Sequence, residues 1–233
     1  MRLTNLVPKF LRPVLRPIYC AYVSSWVYRK INYRPQSRDE IYQYWRKPWD
    51  GFNLPQDYLK GEVRSQFLVR IVKRYAKPNE RILEIGCNVG RNLNYLFLAG
   101  FKELSGIEIS ESAVQLLKVT YPEMARHAKI YNAPAEEVLG ELKDGEFDVV
   151  FTMAVLAHIH PESEWTFPEI VRITKKLLIT IEDERGSTWG HFPRNYKETF
   201  EPLEMKQVKV LNCRDVEGLG SNFFVRAFKK DRE

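Results

Sequence analysis

The chain has 233 residues, 44% of them apolar, and a net charge of +6, which suits one α/β domain with an extension and is too short for two ordinary domains. Its three cysteines (Cys20, Cys87, Cys213) and four histidines form no C-x-x-C pair and no Cys/His cluster. That argues against a zinc site or a disulfide framework and fits a reducing, cytoplasmic setting.

The positive charge sits at one end. Residues 1–34 carry Arg2, Lys9, Arg12, Arg16, Arg29, Lys30 and Arg34 with no acidic residue, a charge of +7, so residues 35–233 sum to −1. The body therefore offers no broad nucleic-acid-binding surface. The arm is also aromatic, with Leu11, Leu15, Ile18, Tyr22 and Trp26 on one helical stripe. Its uncharged run, Pro17 to Tyr28, falls well short of the ~20 residues needed to span a bilayer. Two readings stay open: a helix lying in a membrane interface, giving peripheral membrane contact through residues 1–34, or a helix packed on the domain or on another subunit. Residues 32–59, rich in Pro, Asn and aromatics such as Tyr44, Trp45 and Tyr58, read as an ordered loop, because aromatics need burial. The expected division is an extension over 1–59 and a domain over 60–233.

From residue 61, helix-like and strand-like segments alternate, the pattern of a parallel sheet with helices on both faces. Val63 to Tyr75 has helical spacing and stops at Pro78-Asn79. Arg81 to Ile85 is a short apolar strand. A helix from Gly90 to Ala99 ends at Gly100, and a strand follows over Leu104 to Ile109. Ser110 is placed to cap the next helix, with Glu111 in its first turn. Lys129–Tyr131, Phe147–Phe151 and Leu177–Ile181 supply further strands. Lys206–Leu211 and Asn222–Phe228 read as an antiparallel hairpin that closes the sheet.

The strand ending at Glu84 leads into Gly86-Cys87-Asn88-Val89-Gly90 and then a helix, a nucleotide-binding arrangement. Glycine lets the backbone pass close to a ligand, and the helix start offers unpaired N–H groups. No Lys-Ser/Thr follows, so it is not a P-loop. Glu108, 22 residues after Gly86, is placed to accept hydrogen bonds from both hydroxyls of a ribose. The spacing serves NAD and S-adenosylmethionine alike.

Residues 60–233 resemble the class I S-adenosylmethionine-dependent methyltransferases, of the small-molecule type. Ile82-Leu83-Glu84-Ile85-Gly86-Cys87-Asn88-Val89-Gly90 is similar to the family's first motif. Ser105-Gly106-Ile107-Glu108-Ile109-Ser110 resembles its second-strand motif, and Ala133-Pro134-Ala135-Glu136-Glu137 its adenine segment. Phe147 to Phe151 running into Leu156-Ala157-His158-Ile159 resembles the fourth strand and its turn. The closing hairpin matches the family's reversed last strand. The resemblance implies a Rossmann-like, seven-stranded, mostly parallel sheet with an antiparallel last strand, beside an N-terminal helical extension. It implies S-adenosylmethionine held by Glu84, Gly86, Cys87, Asn88, Gly90, Glu108, Ile109, Ala135 and Glu136, with no metal. Asn88 replaces the usual middle glycine, Pro134 a frequent Asp and Ala157 a frequent Glu, and the Lys-Pro-Gly-Gly turn before the fifth strand is missing.

In such an enzyme the residues mainly position the reactants and exclude water, with a base only where the acceptor must lose a proton. His158 is the first candidate for a catalytic or substrate contact, because an imidazole titrates near neutral pH; its alternative role is to shape the turn. His191 and Tyr196 in the following loop are further candidates. A His158/His160 metal pair lacks a third ligand. The expected function is methylation of a small-molecule or lipid-linked acceptor at oxygen or nitrogen. RNA or protein methylation through the basic arm is the alternative, and a non-catalytic cofactor-binding protein is a third class. No Asn/Asp-Pro-Pro-Tyr/Phe sequence of the base-amine enzymes and no paired-glutamate loop follows the fourth strand.

Overall fold

Fully buried apolar strands explain the architecture, since a strand covered on both faces reads as an unbroken hydrophobic run. In the computed structural model, which describes residues 37–48, 52–186 and 190–230, β1 (Ile82–Ile85) and β2 (Leu104–Ile107) are buried along their whole length. With β3 (Lys129–Tyr131), β4 (Phe147–Met153), β5 (Thr174–Asp183), β6 (Met205–Asn212) and β7 (Phe223–Lys230) they form one sheet in the order β3-β2-β1-β4-β5-β7-β6. The pairs among β1 to β5 are parallel; β7 runs antiparallel to both β5 and β6. The Rossmann-like methyltransferase architecture expected from the sequence is therefore present. β5 extends beyond the expected Leu177–Ile181 because it is paired on both sides, by β4 and by β7.

Helices cover both faces. One core joins Leu68 and Val72 of α2 (Glu62–Tyr75), Leu93 and Leu96 of α3 (Arg91–Leu98), Leu117 of α4 (Glu111–Thr120) and Met124 of α5 (Pro122–His127) to Ile82, Val149 and Ile179 of the sheet. The other joins Leu139 of α6 (Ala135–Leu139), Phe167 and Ile170 of α7 (Thr166–Ile173), and Tyr196 and Phe200 of α8 (Tyr196–Phe200) to Leu83, Val150 and Leu178. Successive strand residues point to opposite faces, which is why Ile82 and Leu83 belong to different cores.

The segment before α2 departs from expectation. It contains a helix, α1 (Arg38–Arg46), opened by a reciprocal capping box: Ser37 Oγ accepts from Glu40 N, and Glu40 Oε2 accepts from Ser37 N. Such a box satisfies two of the four N–H groups that a helix start leaves unpaired. Ile41 and Tyr44, one turn apart, are buried. A 3₁₀ turn follows at Pro55–Leu59. The arm, residues 1–34, with its membrane-interface and packing readings, lies outside the described residues. Among the described residues, no helix is long and apolar enough to cross a membrane.

Candidate cofactor and acceptor site

β1 lies between β2 and β4, so the helices that follow β1 and β4 leave on opposite faces and a cleft opens at the strands' carboxyl ends, the place where open α/β sheets bind ligands. The cleft is walled by the loop after β1, the end of β2, the start of α6 and the turn after β4, and roofed by α1 and residues 53–58.

The loop after β1 carries three successive demands for left-handed backbone. Gly86 has φ +72°, Asn88 +47° and Gly90 +70°. A Cβ on Gly86 would meet Val155 Cγ2 at 2.4 Å, so this loop and the turn after β4 touch through a position open only to glycine. Asn88 supports its own strained conformation: its Oδ1 accepts from Val89 N at 2.9 Å, the local bond that lets Asn occupy this region. Gly90 does not line the cleft. A Cβ there would meet Leu117 Cδ1 at 2.5 Å and Met124 Cε at 2.9 Å, so this glycine lets α3 pack on α4 and α5.

Glu84, Cys87, Asn88, Glu108, Ile109, Ala135 and Glu136 all line the cleft, beside Gly86. Glu108 follows the last residue of β2 and is held rigidly. Its Oε2 accepts from Asn88 N at 2.8 Å and its Oε1 from Ser110 N at 2.7 Å. Burial raises its pKa, and those amides pull it back. The Ile109 amide also bonds this carboxylate, which with about four lone-pair sites can still accept from a further donor.

Glu84 is 1% exposed. Burial pushes its pKa up to about 8, against the lowering effect of the Asn92 amide. Asn92 Nδ2 donates to Oε1 at 2.7 Å, whereas Oε2 is buried without any partner. Glu136 Oε1 is likewise buried and unpartnered. These two orphan acceptors are donor-seeking positions in a cleft that also carries many apolar groups.

Behind Glu84 runs a buried polar chain that the sequence did not disclose. Arg91 Nε donates to Ser65 Oγ at 2.8 Å, Ser65 Oγ to Asn92 Oδ1 at 2.7 Å, and Asn92 in turn to Glu84. Arg91 Nη1 also donates to the carbonyls of Tyr58 and Lys60, tying the 3₁₀ turn of the roof to the start of α3. The Ser65 and Arg91–Asn92 positions fall within helical patterns, where isolated polar residues read as solvent-facing; only their sites beside the first motif mark them.

On the other side of the cleft, the turn after β4 is fixed by Glu182 of β5. Its Oε2 accepts from Val155 N at 2.9 Å and Leu156 N at 3.1 Å, and burial raises its pKa to about 7. Ala154, at φ +58°, lines the cleft within this turn. A non-glycine residue in that region is strained and persists only where its surroundings over-determine it.

His158 also lines the cleft. Its Nδ1 lies 2.8 Å from Gly190 O; a carbonyl only accepts, so Nδ1 carries the proton and the neutral ring leaves a lone pair on Nε2. Burial, with His191 adding to it, holds the imidazole pKa down to about 3. Trp45 of α1 and His191 flank the ring, each with centroids 4.5 Å away. Arg194 pins the loop that carries His191, donating from Nη1 to Phe192 O at 2.8 Å and from Nη2 to Ile159 O at 3.0 Å. Burial also lowers the pKa of His191, which does not itself line the cleft. Tyr196 is corrected from a site residue to a core residue: it is fully buried against Phe200, 6.2 Å between centroids, with no place in the lining. His160 turns away to cap its own 3₁₀ turn, with Nδ1 accepting from Glu162 N at 3.2 Å.

Comparison with known proteins agrees with this geometry. Residues 83–177 match the family model described as a methyltransferase domain. A stretch of 111 residues is 26% identical to the eEF1A lysine and N-terminal methyltransferase of Mus musculus; it covers 47% of this chain but only 16% of that relative. Among solved structures, magnesium protoporphyrin IX methyltransferase from Synechocystis PCC 6803, with bound S-adenosylhomocysteine, superposes with a TM-score of 0.66 at 12% identity, covering 84% of this chain and all of the other. Geranyl diphosphate C-methyltransferase from Streptomyces coelicolor A3(2) gives 0.60 at 12% identity, with 73% and 79% covered. Residues 83–177 thus match a methyltransferase domain, and the chain shares the fold of S-adenosylmethionine-dependent methyltransferases.

Proposed function

We propose that this enzyme methylates a small-molecule or lipid-linked acceptor at oxygen or nitrogen, bound between α1 and the turn after β4. The observation that carries this reading is the aromatic roof: Tyr42 and Trp45 of α1 line the cleft together with Met153, His158 and Ile159, and Trp45 lies against the His158 ring. A cleft roofed this way suits a compact, largely apolar group that leaves water on entry.

When bound, S-adenosylmethionine supplies an electrophilic methyl group on a sulfonium. Glu108 would hold the ribose, Ala135 and Glu136 the adenine, and Glu84 the amino group of the tail. An acceptor O–H or N–H seated under the aromatic roof would be aimed at that methyl group, and its proton would pass to solvent on transfer. His158 Nε2 accepts a hydrogen bond from that O–H or N–H and aims its lone pair in line. With its pKa held near 3, the ring is too weak a base to keep the proton at neutral pH, so its part is to position the acceptor.

The +7 arm and the protein-methylating relative favour a second reading, methylation of RNA or protein docked through residues 1–34. Incubating the full chain and radiolabelled cofactor with fractionated cell extract separates the two. Label is expected in the organic-soluble fraction; label entering only RNA or precipitated protein would overturn the small-acceptor reading.

A further inference from the structure

Among the described residues, neither wall of the acceptor chamber, α1 or the turn after β4, carries a group suited to take a proton. His158 Nδ1 gives its hydrogen to the carbonyl of Gly190 at 2.8 Å, whereas a histidine that serves as a base gives it to a carboxylate, which steadies the charged ring. Trp45 and His191 flank the imidazole at 4.5 Å, and the second imidazole adds to burial in opposing a charge. The phenols serve no better. Tyr58 Oη donates to Asn53 Oδ1 at 3.0 Å, and burial pushes its pKa up to about 12. Tyr42 Oη lies 3.5 Å from Ser163 Oγ, and burial, with Glu136 adding to it, raises its pKa. The carboxylates of the lining stand elsewhere: Glu84 in β1, Glu108 after β2 and Glu136 in α6, the groups assigned above to the cofactor.

The two walls therefore select among acceptors. An alcohol attacks as it loses its proton to a base, and neither wall supplies one. A carboxylate needs no base, but it must leave water for a wall that holds no cation. The arginines of the lining, Arg64 and Arg91, stand on α2 and α3 and bond Lys60, Tyr58 and Ser65. A neutral amine meets neither obstacle. It brings its own lone pair, and its N–H can donate to the lone pair left on His158 Nε2. With no carboxylate on either wall the ammonium form is disfavoured on entry. The faces of Tyr42 and Trp45 then suit the cation that transfer creates.

We propose that the acceptor is a neutral amine, methylated at nitrogen. This assignment rests on the small-acceptor reading given above. The nitrogen lone pair forms the new N–C bond, the electron pair of the broken S–C bond stays on sulfur, and the positive charge passes to nitrogen, which then gives a proton to solvent. In the test, the full chain is incubated with cofactor carrying a carbon-13 methyl group and with extract of cells grown on nitrogen-15 alone. The organic-soluble product is read by NMR, and a methyl carbon resonance split by nitrogen-15 is expected. An unsplit methyl resonance in that fraction would overturn the proposal. Label only in RNA or precipitated protein would instead bring down the small-acceptor reading, and this proposal with it. A second readout needs no turnover. The imidazole nitrogen signals of His158, assigned by their loss in His158→Gln, are expected to show hydrogen on Nδ1 and a bare Nε2 at about pH 6.5, the ordinary histidine midpoint. A charged ring at that pH would also overturn the proposal, since a base would then be at hand.

Discussion

Gly86→Ala is expected to lose at least about tenfold in S-adenosylmethionine affinity and about 3 kcal/mol of stability, read as a drop in urea midpoint and in Tm. Two costs combine. Alanine at φ +72° costs about 1–2 kcal/mol relative to glycine, and its methyl would sit 2.4 Å and 3.0 Å from the two γ-carbons of Val155. Valine is stiff about χ1 and cannot swing aside cheaply, and the turn behind it is fastened to Glu182. The expected relaxation moves the loop after β1, which carries Asn88 onto Glu108, so the cofactor site loses its shape. Gly86→Ala with Val155→Ala should recover the steric part and keep the backbone part. A single variant as stable and as tight-binding as the wild type would show that the loop and turn are not in this contact.

A proton is the second readout. Burial raises the Glu84 pKa to about 8 and the Glu182 pKa to about 7, while both lose their protons near pH 4.5 in the unfolded chain. Between those values the folded chain holds more protons, so this contribution to stability is full below about pH 4.5 and is lost as pH rises through 7 and 8. If the cofactor's ammonium meets Glu84 as proposed, binding reverses the preference there, because an ammonium beside Oε2 favours the carboxylate. At about pH 6.5, binding is therefore expected to release close to one proton, measured from the dependence of calorimetric enthalpy on buffer ionisation enthalpy. Affinity should climb as pH rises toward 8. Glu84→Gln should release almost none and bind more weakly. Proton-neutral binding by the wild type would mean that Glu84 does not meet the ammonium.

How much of this was legible in the sequence follows from what each segment depends on. The loop after β1 and the Glu at the end of β2 were readable because local backbone chemistry dictates them: glycines where φ is positive, and an Asn able to stand in for a third. Strand order and the reversed β7 were readable through resemblance, since hydrophobic runs alone do not fix pairing. α1 was missed although its capping box, Ser37 with Glu40, stands in the sequence; polar Arg38, Asp39 and Gln43 hid a helix whose buried face is only Ile41 and Tyr44. Tyr196 was misread because an aromatic after a loop invites a functional role. Its four-residue spacing to Phe200 is the signature of a helix face turned to the core. Ser65, Arg91 and Asn92 acquire their meaning only from tertiary contact across two helices, which no local pattern encodes.

The cleft lined by Glu84, Glu108 and Glu136 is expected to hold S-adenosylmethionine. Titrating that compound calorimetrically into the full chain and into Glu108→Ala tests it most directly, with Tm recorded to confirm that both are folded. The expected result is micromolar binding by the wild type, weakened about tenfold or more, roughly 1.4 kcal/mol, in the variant. No binding by the folded wild type, or equal binding by both proteins, would contradict it.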